Sequence, residues 1–484
     1  MNQLFFIPHL CKRSPVLLLY MASFWLGVEP LDASDWVINP AIEVREVYTD
    51  NVLLSPANLA EDDFITVITP AIAISNIRKR TEINLDYSLQ NILYLNSGER
   101  NTQFHLLHVD GKGEIYEDRL FLDIFLDRST QNLNNTGNTA LDNLSVSSDR
   151  GTVLTYGISP YWQQRVGGLM EIDARFKWDE VDSSSFSQSR ATDVKISLSS
   201  GADFNRLLWD INFKNHKVKN NSARSTLIRN SQFQLKYLLS RKLAIVSEVG
   251  YDDNNYENSR GNISGVSWSI GAEWNPSTRT SLKSTYGERF FGDDLELRLT
   301  HRSKRTQTQI SYEKVPTTTR ASLLERQAFN STDIFGVPIV DPGVQEISDL
   351  DLSIVSQSAE TIIRSRLTGA FSYNLRKHIL SLSAMYEEVD YQFTRQTEFL
   401  RRFNLSWNWQ IIPKTSSSMS LGWNKNNQRN ARDEKYIIAE LRLDYKLSTN
   451  IEVGVGARFV DRQSNIRQFE YDESRIFADI NKRF

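Results

Sequence analysis

One cysteine, Cys11, stands in a chain of 484 residues, and it lies in a segment expected to be removed. The rest of the chain therefore has no disulfides, thiolate nucleophiles or thiolate metal sites. No run of 18 apolar residues follows the N-terminal region, so helices do not carry this chain across a membrane. Neither sign of charge is in excess: 56 Lys and Arg meet 59 Asp and Glu, for a formal net charge of −3. Nucleic-acid binding, which needs a basic excess or patch, is not expected. Histidine is scarce, at six. His105 and His108 are three apart, which on a strand places them on opposite faces, and His216, His301 and His378 are isolated. No Gly-x-Ser-x-Gly elbow, phosphate loop or His-Glu-x-x-His pair occurs. No catalytic, cofactor-binding or metal-ligating residue is expected, and the chain does not read as an enzyme.

What is present begins with an export signal. Lys12 and Arg13 precede a 13-residue apolar stretch, Val16 to Val28, and Leu31-Asp32-Ala33 can precede a cut before Ser34. Residues 1–33 are thus expected to be a signal peptide and 34–484 a single domain. A membrane anchor is the rival reading, but a helix spanning a bilayer needs roughly 20 residues. Removal of 1–33 leaves the net charge at −3, because Lys12 and Arg13 offset Glu29 and Asp32.

The mature chain alternates in twos. In Tyr436–Leu447, Ile437, Ala439, Leu441, Leu443, Tyr445 and Leu447 oppose Glu440, Arg442, Asp444 and Lys446. In Leu169–Asp179, Met170, Ile172, Ala174, Phe176 and Trp178 oppose Glu171, Asp173, Arg175, Lys177 and Asp179. Phe403, Leu405 and Trp407 oppose Arg402, Asn404 and Ser406, and Leu295, Leu297 and Leu299 oppose Asp294, Glu296 and Arg298. Successive strand side chains point to opposite faces, so each segment carries one apolar and one ionised side. A mean hydropathy of −0.42 beside 11% aromatics suits a barrel whose every second residue meets water. A soluble sandwich or solenoid also alternates, but seldom sets four ionised residues in a row on one face.

Ten tight, often basic turns punctuate the strands, from 76–80 to 448–450, and longer polar links such as 129–150, 180–190 and 252–262 alternate with them. Ten turns flanked by eleven hairpins give about 22 strands, within 20 to 24, with both chain ends on the short-turn side. The expected fold is all-β: a single transmembrane antiparallel up-and-down barrel without a plug domain, in the bacterial outer membrane. Pro40, Pro70 and Pro160 remove ladder donors and are expected at strand ends or bulges. Tyr161, Trp162, Tyr237, Trp274, Tyr373 and Tyr445, near the short turns, are expected to form an inner aromatic girdle. The candidate lumen-facing residues are Glu171, Asp173, Arg175, Lys177, Asp294, Glu296, Arg298, Arg402, Glu440, Arg442, Asp444 and Lys446. Their mixed signs favour a charge-balanced wet wall over an acid–base pair.

A 22-stranded lumen is wide, and known transporters of that size fill it with a plug. The first strand here begins almost at Trp36, which argues against a plugged TonB-dependent receptor. The 45-residue link 316–360 is the longest in the chain and holds Leu323-Leu324 and Phe335–Val340, too apolar for a solvated loop. It is the expected lumen constriction.

Two resemblances add to this reading. The closing run Arg475–Phe484 resembles the last strand of bacterial outer-membrane barrels. That likeness implies a C-terminal assembly signal at Phe484, read by the barrel-assembly machinery, although Lys482 departs from the usual apolar residue. Trp36–Ile42, Tyr48-Thr49-Asp50-Asn51, Phe64–Ile72 with Pro70, and Ile362–Tyr373 resemble the outer-membrane barrels associated with PEP-CTERM/exosortase systems, which lie in exopolysaccharide gene clusters of Gram-negative bacteria. This resemblance implies an outer-membrane channel or scaffold serving exopolysaccharide biosynthesis or export, with outer-membrane lipid, polysaccharide and export components as partners. A general diffusion porin and a non-conducting surface anchor are the alternatives. On its residues alone, Asp50-Asn51 reads as turn chemistry.

Overall fold

Strand after strand of alternating residues can satisfy its backbone in lipid only by pairing with neighbours and closing on itself. The computed structural model shows this arrangement. It describes residues 36–484 apart from 134–136, 148, 185–187, 222–224, 260, 331–359 and 429–430. The expected signal peptide therefore lies outside the described residues.

The chain runs through β1 (Trp36–Thr49), β2 (Asp63–Ile77), β3 (Thr81–Tyr94), β4 (Thr102–Tyr116), β5 (Leu120–Asn132) and β6 (Arg150–Val166). It continues through β7 (Met170–Ser183), β8 (Ser189–Ser200), β9 (Leu207–Asn220), β10 (Thr226–Leu238), β11 (Leu243–Asp252) and β12 (Gly265–Ser277). Next come β13 (Thr280–Arg289), β14 (Gly292–Arg302) and β15 (Thr306–Thr318), then the helix α1 (Thr319–Asn330). The last strands are β16 (Thr361–Asn374), β17 (His378–Tyr391), β18 (Thr397–Ile412), β19 (Thr415–Asn427), β20 (Asp433–Lys446), β21 (Ile451–Ser464) and β22 (Tyr471–Arg483).

All pairings are antiparallel between neighbours in sequence, and β1 pairs with β22 from Ala41↔Arg483 to Thr49↔Arg475. The sheet is one closed 22-stranded barrel. Closure leaves no edge for association. A 14-residue strand such as β20, at about 3.4 Å per residue and about 45° of tilt, covers an apolar band about 25 Å tall. The ten turns fall where the breaks in the sequence place them, and among the links the one between β13 and β14 is only Phe290-Phe291.

Apolar side chains face outward without cover: Leu441, Ile476, Val455 and Ile270 are each more than half exposed. In lipid this is the buried face. Trp162, Tyr237, Trp274 and Tyr445 lie exposed near the short-turn ends, and Trp407 and Trp409 stack at 5.8 Å beside His378. Amphipathic rings at that depth suit the headgroup boundary. Tyr161 departs from the expected girdle. It turns into the lumen, stacks on Phe121 at 5.0 Å and carries the Arg175 guanidinium 3.9 Å above its ring.

The prolines also sit differently from expectation. Pro40 lies beyond the end of the β1–β22 ladder, but Pro70 and Pro160 stand within β2 and β6 with no change of register. Only the β2–β3 and β6–β7 ladders skip there. The Asn91 side-chain amide donates to the carbonyl of Leu89, the residue opposite Pro70, at 3.2 Å. One polar side chain thus supplies a hydrogen bond where proline lacks a donor.

Two glycines are required by close approach between β12 and β13. A Cβ at Gly287 would stand 1.8 Å from the Trp268 carbonyl oxygen, and one at Gly271 2.0 Å from that of Ser284.

Candidate functional site: a narrowed lumen

The lumen face is a wall of paired charges. Arg175 donates to Asp123 at 2.7 Å and to Ser159 at 3.1 Å, and Asp173 accepts from Gln163 at 2.8 Å. Glu171 meets Arg165 at 3.0 Å, and Lys177 stands 3.6 Å from Asp179. Glu296 accepts from Lys283 at 2.9 Å and lies 3.8 Å from Arg298. Arg442 bridges Asp444 at 2.7 Å and Asp479 at 2.7 and 2.9 Å. Glu440 lies directly across the ladder from Arg458. Arg402 is buried, Asp294 half-buried, and Lys446 exposed near the inner rim. The candidates lie along separate strands and do not converge on one centre. His105 bonds Tyr87 at 2.8 Å and His108 meets Asp127 at 3.2 Å, so the two rings serve different neighbours.

The outer half of the lumen is occupied by the protein's own links. In the link between β5 and β6, residues 137–147 leave the hairpin and lie against β20–β22 and β1–β3. Its Leu144 joins Val47, Val52, Ile65, Val67, Ile92 and Tyr94 in one buried cluster, and Ala140 joins Leu54, Tyr436, Ile438, Val460 and Tyr471 in another. Tyrosine hydroxyls hold its backbone: Tyr94 donates to the Leu144 carbonyl at 2.8 Å and Tyr471 to that of Thr139 at 2.9 Å. Arg432 and Arg462 donate to the Gly137 carbonyl at 2.9 and 3.1 Å, with Glu434 between the two guanidiniums.

At the centre of this contact Asp142 accepts from Arg458 at 2.5 Å and from Arg475 at 2.9 Å. Burial alone would push the Asp142 carboxyl up, but the two guanidiniums hold it well below the usual carboxylate range. Arg475 in turn bonds Glu473 at 2.7 Å, and Glu473 accepts from Thr49 at 2.9 Å. The link is therefore tied through the wall to the barrel's closing seam.

The seam explains the Thr49-Asp50-Asn51 run. The Asn51 amide donates to the carbonyls of Ser55 at 2.7 Å and Asp472 at 2.9 Å, and its oxygen accepts from the Ser55 N–H at 2.9 Å. Asp50 accepts from the Ser474 N–H at 2.8 Å. The turn chemistry read from the sequence is present, and it also joins the first strand to the last.

The constriction expected at 316–360 falls largely on residues 331–359, outside the described residues. Its described beginning does turn inward. In α1, Arg320 pairs with Asp179 and donates to Ser189 at 3.0 Å, while Glu325 accepts from Arg364 at 2.8 Å and Arg366 at 3.1 Å. Leu324 packs on Leu133, Val153 and Val181, so the helix touches the base of the 133–149 link. The sequence reads 129–150 as a longer polar link, not as a segment that packs on the barrel. Leu133, Ala140, Leu141, Leu144 and Val146 among its Asn, Ser and Thr residues were the available signal.

No protein-family model matches the chain, and no characterised protein matches it in sequence. Its structure is similar to that of the siderophore receptor PirA from Acinetobacter baumannii, with 9% identity, 92% of this chain and 80% of that chain covered, and a TM-score of 0.50. It is similar also to the FrpB iron transporter from Neisseria meningitidis, with 8% identity, 92% and 82% covered, and a TM-score of 0.51. The protein is a bacterial outer-membrane β-barrel. At these identities the likeness shows the fold alone. Among the described residues, what fills the lumen is contributed by links and α1.

Proposed function

We propose that the protein is an outer-membrane channel or scaffold serving exopolysaccharide export, its lumen narrowed by its own links rather than by a separate plug domain. The observation that carries the conduit reading is the lumen wall, where charges lie paired along many strands. Such a wall offers donors and acceptors to hydroxyl-rich solutes, and its charges are largely engaged with one another. A conduit needs contacts good enough for entry and weak enough for release. The polysaccharide assignment rests on the resemblance of Trp36–Ile42, Tyr48–Asn51, Phe64–Ile72 and Ile362–Tyr373 to barrels of PEP-CTERM/exosortase systems. Iron or siderophore uptake is not carried over, since identities of 8 to 9% bring only the fold. In this reading the C-terminal strand with Phe484 engages the assembly machinery, and polysaccharide and export components are the partners.

Gene deletion is the decisive test. Loss of surface polysaccharide with polymer retained in the periplasm supports the proposal; normal secretion rejects it. Swelling of proteoliposomes in graded sugars separates a general diffusion porin, which would pass small sugars freely, from a narrowed conduit.

A further inference from the structure

The barrel wall is least complete between β14 and β15. Their ladder runs only from Leu297↔Tyr312 to Arg302↔Gln307, six pairs, against ten between β13 and β14. Asp293–Glu296 thus remain zipped to β13 but have left β15. The β13–β14 hairpin closes on two residues, Phe290-Phe291, so the outer rim dips here. The described residues of the link between β11 and β12, 253–259 and 261–264, arch over the dip. Asn255 pairs with Leu227 at its near end. At its far end the Ser259 N–H donates to the Gln392 carbonyl at 3.1 Å, the Ser259 hydroxyl to the Phe393 carbonyl at 2.7 Å, and Arg395 to the Ser259 hydroxyl at 3.1 Å.

Under the arch lies a cavity of about 210 Å³, lined by Asn258, Asn262, Phe290, Phe291, Lys314 and Asp390 among others. It opens on the outward side of the wall. Ile363 pairs with Asp390 and Lys314 with Ser365, whereas the adjacent Arg364 and Glu387 belong to the lumen face. Phe290 and Phe291 meet edge to face at 5.0 Å, and the Lys314 ammonium lies 5.0 Å from the Phe291 ring centre.

We propose that this cavity is a binding site for a neutral pyranose unit of a saccharide. A pyranose presents an apolar C–H face bounded by a belt of hydroxyls. Aromatic rings match the face, and amides, a carboxylate and an ammonium match the belt as donors and acceptors. One carboxylate and one ammonium leave no net charge, which favours a neutral sugar over a phosphate. The volume suits one sugar ring, below the range of about 300–1,000 Å³ of drug-sized pockets. The site stands independently of whether the lumen conducts. Its sugar can come from a polymer at the mouth or from a glycolipid headgroup of the outer leaflet; both present the same chemistry.

The test uses the full mature chain refolded in lauryldimethylamine oxide, which has no sugar headgroup. Saturation-transfer NMR with maltohexaose and cellohexaose addresses the polymer source. Native mass spectrometry of protein reconstituted with a neutral glycolipid, a monoglucosyl diacylglycerol, addresses the glycolipid source. Binding in either arm is expected, with Phe291→Ala weakening it about tenfold. Phe403→Ala, at an exposed aromatic that neither lines the cavity nor anchors the arch, should leave binding unchanged. Arg395→Ala, which removes one tie of the arch without touching the aromatic floor, should weaken it less than Phe291→Ala does. Absence of binding in both arms overturns the proposal, as does equal binding by the Phe291 and Phe403 variants.

Discussion

Replacing Asp142 by Asn should free the 133–149 link for a larger fraction of the time. The carboxylate accepts hydrogen bonds from Arg458 and Arg475 at 2.5 and 2.9 Å, each a charge-assisted bond worth about 1.5–3 kcal/mol. Asparagine is isosteric and keeps one acceptor, and a third of the Asp142 side chain meets lumen water, so the loss belongs at the low end, about 2 kcal/mol. That raises the released fraction about 30-fold. Tyr94, Tyr471, Arg432 and Arg462 still hold the backbone, so the expected change is more frequent opening and not permanent release. Planar-bilayer recordings should show the frequency of high-conductance events rising by about that factor. Deleting 137–147 should make the higher level continuous. Protonation acts like the substitution. Because the docked carboxyl titrates below its ordinary range, the latch is intact above about pH 4 and fails only as the pH falls through the lower value. Wild-type gating should therefore be constant at every pH above the ordinary carboxylate range and quicken only as the pH falls below that range, and Asp142→Asn should lack the transition. Unchanged gating in Asp142→Asn and unchanged conductance in the deletion would together refute the latch.

Three further outcomes are expected. Asn51→Ala removes three hydrogen bonds at the seam and should lower stability by about 2–3 kcal/mol, read as a lower denaturant midpoint for loss of the heat-modifiable folded band. Gly287→Ala sets a methyl carbon against the Trp268 carbonyl; the β12–β13 ladder must shift, and folded yield should fall well below that of Gly369→Ala, where a Cβ meets nothing within 4 Å. Removing Phe484 should leave the chain largely unassembled in the periplasm, measured by protease sensitivity of cell fractions, while Phe484→Trp should assemble.

The wall was legible because lipid enforces a strict rule. Leu441 and Leu443 must face outward and Arg442 inward, so the strand count and the turns could be read from period two and its breaks. Tyr161 escaped because an aromatic near a turn suits either face, and its partners Phe121 and Arg175 lie on other strands. Pro70 and Pro160 escaped because a ladder can skip one site while the register holds on both sides. The 133–149 link was obscured by its Asn and Ser content. Its apolar residues follow no period, and its anchors Arg458 and Arg475 look like any other lumen charge until the fold brings Asp142 between them. The short β14–β15 ladder has no sequence mark that we can identify.

The most direct test of the account is a cysteine scan along 437–445 with spin labels, in residues 34–484, which hold no cysteine of their own. Labels at 437, 439, 441, 443 and 445 should be accessible to oxygen dissolved in the bilayer, and labels at 438, 440, 442 and 444 to a water-soluble nickel chelate or to neither. Accessibility that fails to alternate, or uniform protection from both reagents along the whole strand, would contradict a single closed sheet with lipid outside and a wet, partly filled lumen.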